Sequence, residues 1–193
     1  MSSSHKVNDM KGVMGLLRVK VVRGTNLAYR DAHGSDPYVV LRFGRQKLKT
    51  SVKKSNVNPE WNEYLTLSIT EPIHPIKIEV FDKDTFTRDD EMGDAEFSIK
   101  PLVDCVQMNL EGKAEGSVIR SVMPYRHNCL VGESPIIWKD GTLAQDVVLR
   151  LRNVESGQVE LQLQWVNIPP VPAARHQRTQ MFAQCGPGSE KRR

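Results

Sequence analysis

Eight short runs of this chain are apolar–polar alternations of period two or short β-branched, aromatic stretches, and such runs favour half-buried β-strands. Leu17, Val19 and Val21 alternate with Arg18 and Lys20, and Leu65, Leu67 and Ile69 alternate with Thr66 and Ser68. Ile76, Ile78 and Val80 alternate with Lys77 and Glu79. The stretches 38–43, 46–52, 95–99, 147–151 and 159–165 complete the set. Turn residues separate the runs, so the expected fold is all-β: an eight-stranded antiparallel β-sandwich, not alternating βα units. One short helix is expected over 101–107, where Pro101 suits a first helical turn.

Residues 108–140 break this rhythm. The segment is too long for a plain loop in a compact domain. It holds two further β-like pieces, 117–123 and 135–139, and reads as an ordered β-rich insertion. The expected organisation is a flexible N-terminus over 1–12, one domain over 13–168, and a basic, disordered tail over 169–193, rich in Pro, Ala, Gln and Arg without periodicity. A chain of 193 residues suits one such domain.

The formal charge of +4 belongs to that tail. Arg175, Arg178, Lys191, Arg192 and Arg193 stand there against Glu190 alone, and the rest of the chain balances. The balanced body is polarised. Residues 82–96 hold seven acids against Lys83 and Arg88, while 42–54 hold six bases and no acid.

The start, Met-Ser-Ser-Ser-His-Lys, has no apolar core of a signal peptide, and the early apolar stretch near 13–17 is too short to span a membrane. Position 2 is not Gly and the chain ends in Lys-Arg-Arg, so neither myristoyl nor prenyl anchoring is indicated. Three cysteines without a CxxC pair suit a reducing compartment. A cytoplasmic protein with only peripheral membrane contact is expected.

Two loops carry aspartates at spacings that suit a hard cation. One is Asp31-Ala-His-Gly-Ser-Asp36, and the other runs from Asp82-Lys-Asp84 to Asp90 directly after the 76–81 strand. Loops distant in sequence meet at one end of a sandwich, so five carboxylates can converge. Calcium takes six to eight oxygens flexibly, as such loops can supply. An EF-hand fails on inspection: counted from Asp82, the glycine position falls on Thr87 and the terminal glutamate position on Gly93.

Four ordered motifs now resemble the C2 domain: Ser35-Asp36-Pro37-Tyr38-Val39, Asn58-Pro59-Glu60-Trp61-Asn62, Phe81-Asp82-Lys83-Asp84 and Asp90-Glu91-Met92-Gly93. The insertion, with Arg126-His127-Asn128-Cys129-Leu130, and the ending with Gln162-Leu163-Gln164-Trp165 are similar to the plant C2-domain abscisic-acid-related proteins. The resemblance implies a type II-like C2 topology and a Ca2+ site made by Asp31, Asp36, Asp82, Asp84 and Asp90 with the backbone carbonyls of Arg30 and Arg88. The first loop is one residue shorter between its aspartates than in many calcium-binding members. The resemblance also implies a calcium-dependent adaptor that docks on an anionic phospholipid membrane and recruits abscisic acid receptors in plant hormone signalling, with a GTPase as a further partner. The alternative is a calcium-independent protein-interaction module or GTPase-activating regulator acting through the insertion. It places the protein in the cytoplasm and peripherally at the plasma membrane, with the nucleus as a further location.

In that family the strand pair around 42–49 forms a basic surface for lipid headgroups, which assigns Tyr38, Arg42, Lys47 and Lys49 to lipid. A solvated edge strand protected by lysines explains the same residues. Phe86 falls between Asp84 and Asp90 at a loop tip, where membrane insertion gives an exposed aromatic a purpose. An enzyme is not expected. His127 and Cys129 are the only nucleophile and base close together, and no oxyanion element or nucleophile turn accompanies them. Nucleic acid is not an expected partner either, because five basic residues spread over the tail are usually solvated.

Overall fold

The computed structural model describes residues 12–30, 34–126 and 128–168. The expected flexible N-terminus and basic tail lie outside these residues, apart from Gly12. Among the described residues, ten strands form two antiparallel sheets. In chain order they are β1 Val13–Thr25, β2 Pro37–Phe43, β3 Gln46–Lys49, β4 Glu60–Thr70, β5 Ile76–Asp82 and β6 Asp90–Phe97. The helix α1, Lys100–Val106, follows, then β7 Val118–Val122, β8 Ser134–Lys139, β9 Thr142–Arg150 and β10 Gln158–Val166. One sheet has the order β4-β1-β10-β9-β8-β7, the other β3-β2-β5-β6. Among the described residues no helix is long and apolar enough to cross a membrane.

The eight expected strands are all present, and the insertion supplies the other two. β7 and β8 pair with each other, and β8 pairs with β9, so the insertion widens one sheet from its edge. It is attached by packing and by satisfied polar groups. Ile136 is fully buried in the core, Ser134 Oγ donates to the Asp146 carbonyl at 2.6 Å, and Gln145 Nε2 donates to Ser134 Oγ at 2.8 Å. Buried polar groups that find partners in this way specify a register instead of costing stability.

Alternation sets the rest. Leu17, Val19 and Val21 of β1 face Ile78, Val80 and their neighbours in one continuous core, while Arg18 and Lys20 point outward. β6 is bulged: Glu79 pairs with Asp94 but Phe81 with Glu91. Gly93 fills the bulge at φ +109°, where an added Cβ would meet Val154 and the Arg152 carbonyl. The bulge bends the strand that leads out of the second acidic loop.

Candidate functional site

The β1–β2, β3–β4 and β5–β6 loops meet at one end of the sandwich. Backbone hydrogen bonds fasten them: Asn56 N–H donates to the Ser35 carbonyl at 2.9 Å and Lys83 N–H to the Asp36 carbonyl at 3.0 Å. At their centre, Asp82 ends β5 and is only 1% exposed. Its Oδ1 accepts from the Asp36 N–H at 2.6 Å, while its Oδ2 is buried with no hydrogen-bond partner. A buried carboxylate oxygen without a partner is a costly arrangement, and a cation is the group that best offsets it.

The other acidic residues gather around it unevenly. Asp36 Oδ1 accepts from the Ser55 N–H at 2.8 Å. Asp90 opens β6 directly opposite Asp82, and its side chain is exposed. Asp84 is half-buried and its N–H donates to Asp89 at 3.2 Å. Asp31 lies outside the described residues. Among the described residues no three His, Cys, Asp or Glu side chains close into a group able to hold a metal. The Arg30 guanidinium pairs with Glu155 at 3.0 Å and its Nε donates to the Glu91 carbonyl at 2.9 Å, which ties the first loop to β6 and to the β9–β10 loop. Arg88 is exposed.

Asp89 escaped the sequence reading and organises the second acidic loop. It accepts from Lys83 Nζ at 2.7 Å, from the Tyr38 hydroxyl at 2.7 Å and from the Asp84 N–H. Lys83 first, and Tyr38 after it, hold its carboxyl below the usual carboxylate range. Burial, helped by the same hydrogen bond, pushes the Tyr38 phenol up to about 12. The Tyr38–Asp89–Lys83 link is therefore intact across the neutral range. A depressed carboxyl stabilises the fold at pH values above its unfolded pKa, and that stability is lost as pH falls through the folded one. With calcium chelated, acid should lower the melting temperature of the wild type more steeply than that of Asp89→Asn below about pH 4. Parallel melting curves across that range would remove Asp89 from this role.

The outer face of the β3-β2-β5-β6 sheet brings Tyr38, Arg42, Lys47 and Lys49 together. Arg42 stands between Lys47 on β3 and Lys77 on β5 in one cross-strand row. Lys77 was not singled out from sequence, although it occupies an outward position in the β5 alternation. Arg42 is paired with Glu79 at 2.6 Å, whereas Lys47 and Lys49 are exposed without an ion pair among the described residues. Tyr38 stacks on Phe81 with ring centroids 5.6 Å apart. Phe86 stands at the loop tip, 97% exposed.

His127 lies outside the described residues. Cys129 is buried, and its Sγ accepts from the Glu96 N–H at 3.4 Å, a packing role.

A two-sheet antiparallel sandwich with acidic loops clustered at one end defines a class, and the C2 domain family model matches residues 15–114. C2-DOMAIN ABA-RELATED 5 of Arabidopsis thaliana is 55% identical over 164 residues, covering 85% of this chain and 82% of its own length. GTPase activating protein 1 of Oryza sativa subsp. indica is 58% identical over 157 residues, covering 81% and 94%. A solved C2 domain of plant extended synaptotagmin 1 shares the fold, with a TM-score of 0.55 at 23% identity over 81% of this chain and 97% of that one. The chain belongs to the C2-domain ABA-related family of C2 proteins.

Proposed function

We propose that this protein is a calcium-dependent adaptor that docks reversibly on anionic phospholipid and holds signalling partners there, without catalysing a reaction. The observation that carries this reading is Asp82, a buried carboxylate with one oxygen left unpartnered where three loops meet. Asp36, Asp82, Asp84 and Asp90, with Asp31 and the Arg30 and Arg88 carbonyls carried over by resemblance, are the residues that would hold the ion. Calcium, when bound, cancels their charge and offers coordination positions to lipid phosphate.

The chain's own residues supply the remaining affinity. Phe86 gives about 2 kcal/mol on burial in acyl chains. Lys47 and Lys49 give about 1 kcal/mol each near anionic lipid. Arg42 adds less because Glu79 already neutralises it. A sum near 4 kcal/mol describes docking that reverses readily. Sedimentation with phosphatidylserine vesicles tests the switch: the wild type should pellet only with calcium, and the Asp82→Ala, Asp84→Ala double variant should stay in the supernatant. Equal pelleting of the two would remove calcium from the function.

The insertion is the proposed partner surface. Of the nine exposed large apolar side chains among the described residues, five (Met108, Val118, Met123, Tyr125 and Val131) lie within it, a concentration that marks interaction sites. Abscisic acid receptors are the partners that the family resemblance implies, and the name of the rice relative, GTPase activating protein 1, suggests a GTPase as a further one. The proposed setting is the cytoplasmic side of the plasma membrane, with the nucleus as a further location.

A further inference from the structure

The outer face of the six-stranded sheet, on the other side of the sandwich from the basic β2–β3 surface, is a concave groove of about 270 Å³. Register places its residues in two rows. One runs Tyr64, Lys20, Gln162, Asp146 across β4, β1, β10 and β9, and the other runs Thr66, Arg18, Gln164, Ala144, Ile137 as far as β8. Arg18 and Lys20 both lie 5.9 Å from the centroid of the Tyr64 ring. That contact orders two long side chains that have no ion pair among the described residues. Lys139 of β8 lines the opposite wall, so the groove owes its far side to the insertion. The amides of Gln162 and Gln164 and the carboxylate of Asp146 line the floor, and Asp140 stands beside Lys139 on the far wall.

We propose that this groove binds a partially phosphorylated cyclic polyol, of the inositol phosphate class, as a soluble ligand. Three cations, one of them an arginine whose planar fork matches phosphate oxygens in pairs, are the recognition chemistry of phosphate groups. Phosphate alone does not explain the rest of the lining. Two carboxylates and two primary amides beside the cations match ring hydroxyls, and Asp140 and Asp146 together repel a ring phosphorylated at every position. Tyr64, exposed and holding both cations beside it, closes the β4 end of the groove. Lys20 and Asp146 stand two strand spacings apart, about 10 Å between backbones, which leaves room for a six-membered ring and its substituents. The ligand is soluble because of where the groove faces. A membrane that meets Phe86 and the β2–β3 surface lies against the opposite sheet and does not reach Arg18 or Lys20. The site does not depend on the calcium reading.

Titration calorimetry in a calcium chelator, with inositol 1,4,5-trisphosphate as the probe, tests this. The wild type should bind it about 100-fold more tightly than inorganic phosphate or myo-inositol, since each of these satisfies only half of the lining. The Arg18→Gln, Lys20→Gln variant should lose about 100-fold, and Lys139→Gln, which serves if that pair does not fold, about tenfold. The Arg42→Gln, Lys47→Gln, Lys49→Gln variant should bind the probe as the wild type does. Binding of the Arg18→Gln, Lys20→Gln variant to phosphatidylinositol 4,5-bisphosphate vesicles should be unchanged. No binding by the wild type, a loss that follows the β2–β3 substitutions, or an equal loss on vesicles would each overturn the proposal.

Discussion

Asp82→Asn, measured in a calcium chelator, is expected to melt at or above the wild-type temperature although it alters a fully buried residue. The substitution keeps a carbonyl oxygen for the Asp36 N–H and removes a negative charge whose second oxygen has no partner. An unpartnered amide is far less costly to bury than an unpartnered carboxylate. A gain of about 1 kcal/mol, or roughly 2–4 °C in a domain of this size, follows. Saturating calcium should then reverse the ranking. At 100 times its dissociation constant a ligand of the folded state adds about 2.7 kcal/mol to the wild type. The variant, without the central carboxylate, should gain little. Differential scanning calorimetry with and without calcium reads both effects. A variant that is less stable in chelator and still responds to calcium would show that Asp82 is a structural residue whose charge is met in some other way.

Much of this site is written in local patterns, and the remainder depends on which strands become neighbours. Asp82 and Asp84 follow a clear alternating strand, so their place at its end was legible. Phe86 was legible as a loop tip because acidic residues flank it on both sides. Asp89 and Asp90 are adjacent and identical in chemistry, and no sequence pattern says which one serves the loop. The fold separates them: Asp90 enters β6 opposite Asp82, while Asp89 turns toward Tyr38, which is distant in sequence and reaches it only because β2 pairs with β5. Lys77 was hidden for the same reason. Its outward position was visible, but its neighbour Arg42 was not, since that contact depends on the β2–β5 register. The insertion shows the limit at the level of the fold. Its two β-like pieces could be read from composition, yet their joining the edge of β9 is a tertiary choice, and only that choice creates the groove beside Lys139.

Gly15→Ala should produce the second large effect, far from the acidic loops. Gly15 lies in β1 beneath the indole of Trp165, and an added methyl group would overlap that ring. Trp165 has little freedom to move, being 2% exposed with its indole N–H donating to Asn167 Oδ1 at 2.9 Å. Overpacking of this kind costs about 2–3 kcal/mol, roughly 4–12 °C here. The sign depends on the indole. In a Trp165→Leu background the overlap is gone, and Gly→Ala at an extended position should instead stabilise by about 0.4–1 kcal/mol through the unfolded chain. The double-mutant cycle should therefore show a coupling of at least about 2 kcal/mol. If Gly15 were only a weak point in a strand, alanine would stabilise both backgrounds. Ten residues of extended chain, about 33 Å, separate Gly15 from the end of β1 that leads into the first acidic loop. Gly15→Ala should accordingly leave the calcium-induced rise in melting temperature intact, and its cost should add to the effect of Asp82→Asn without coupling.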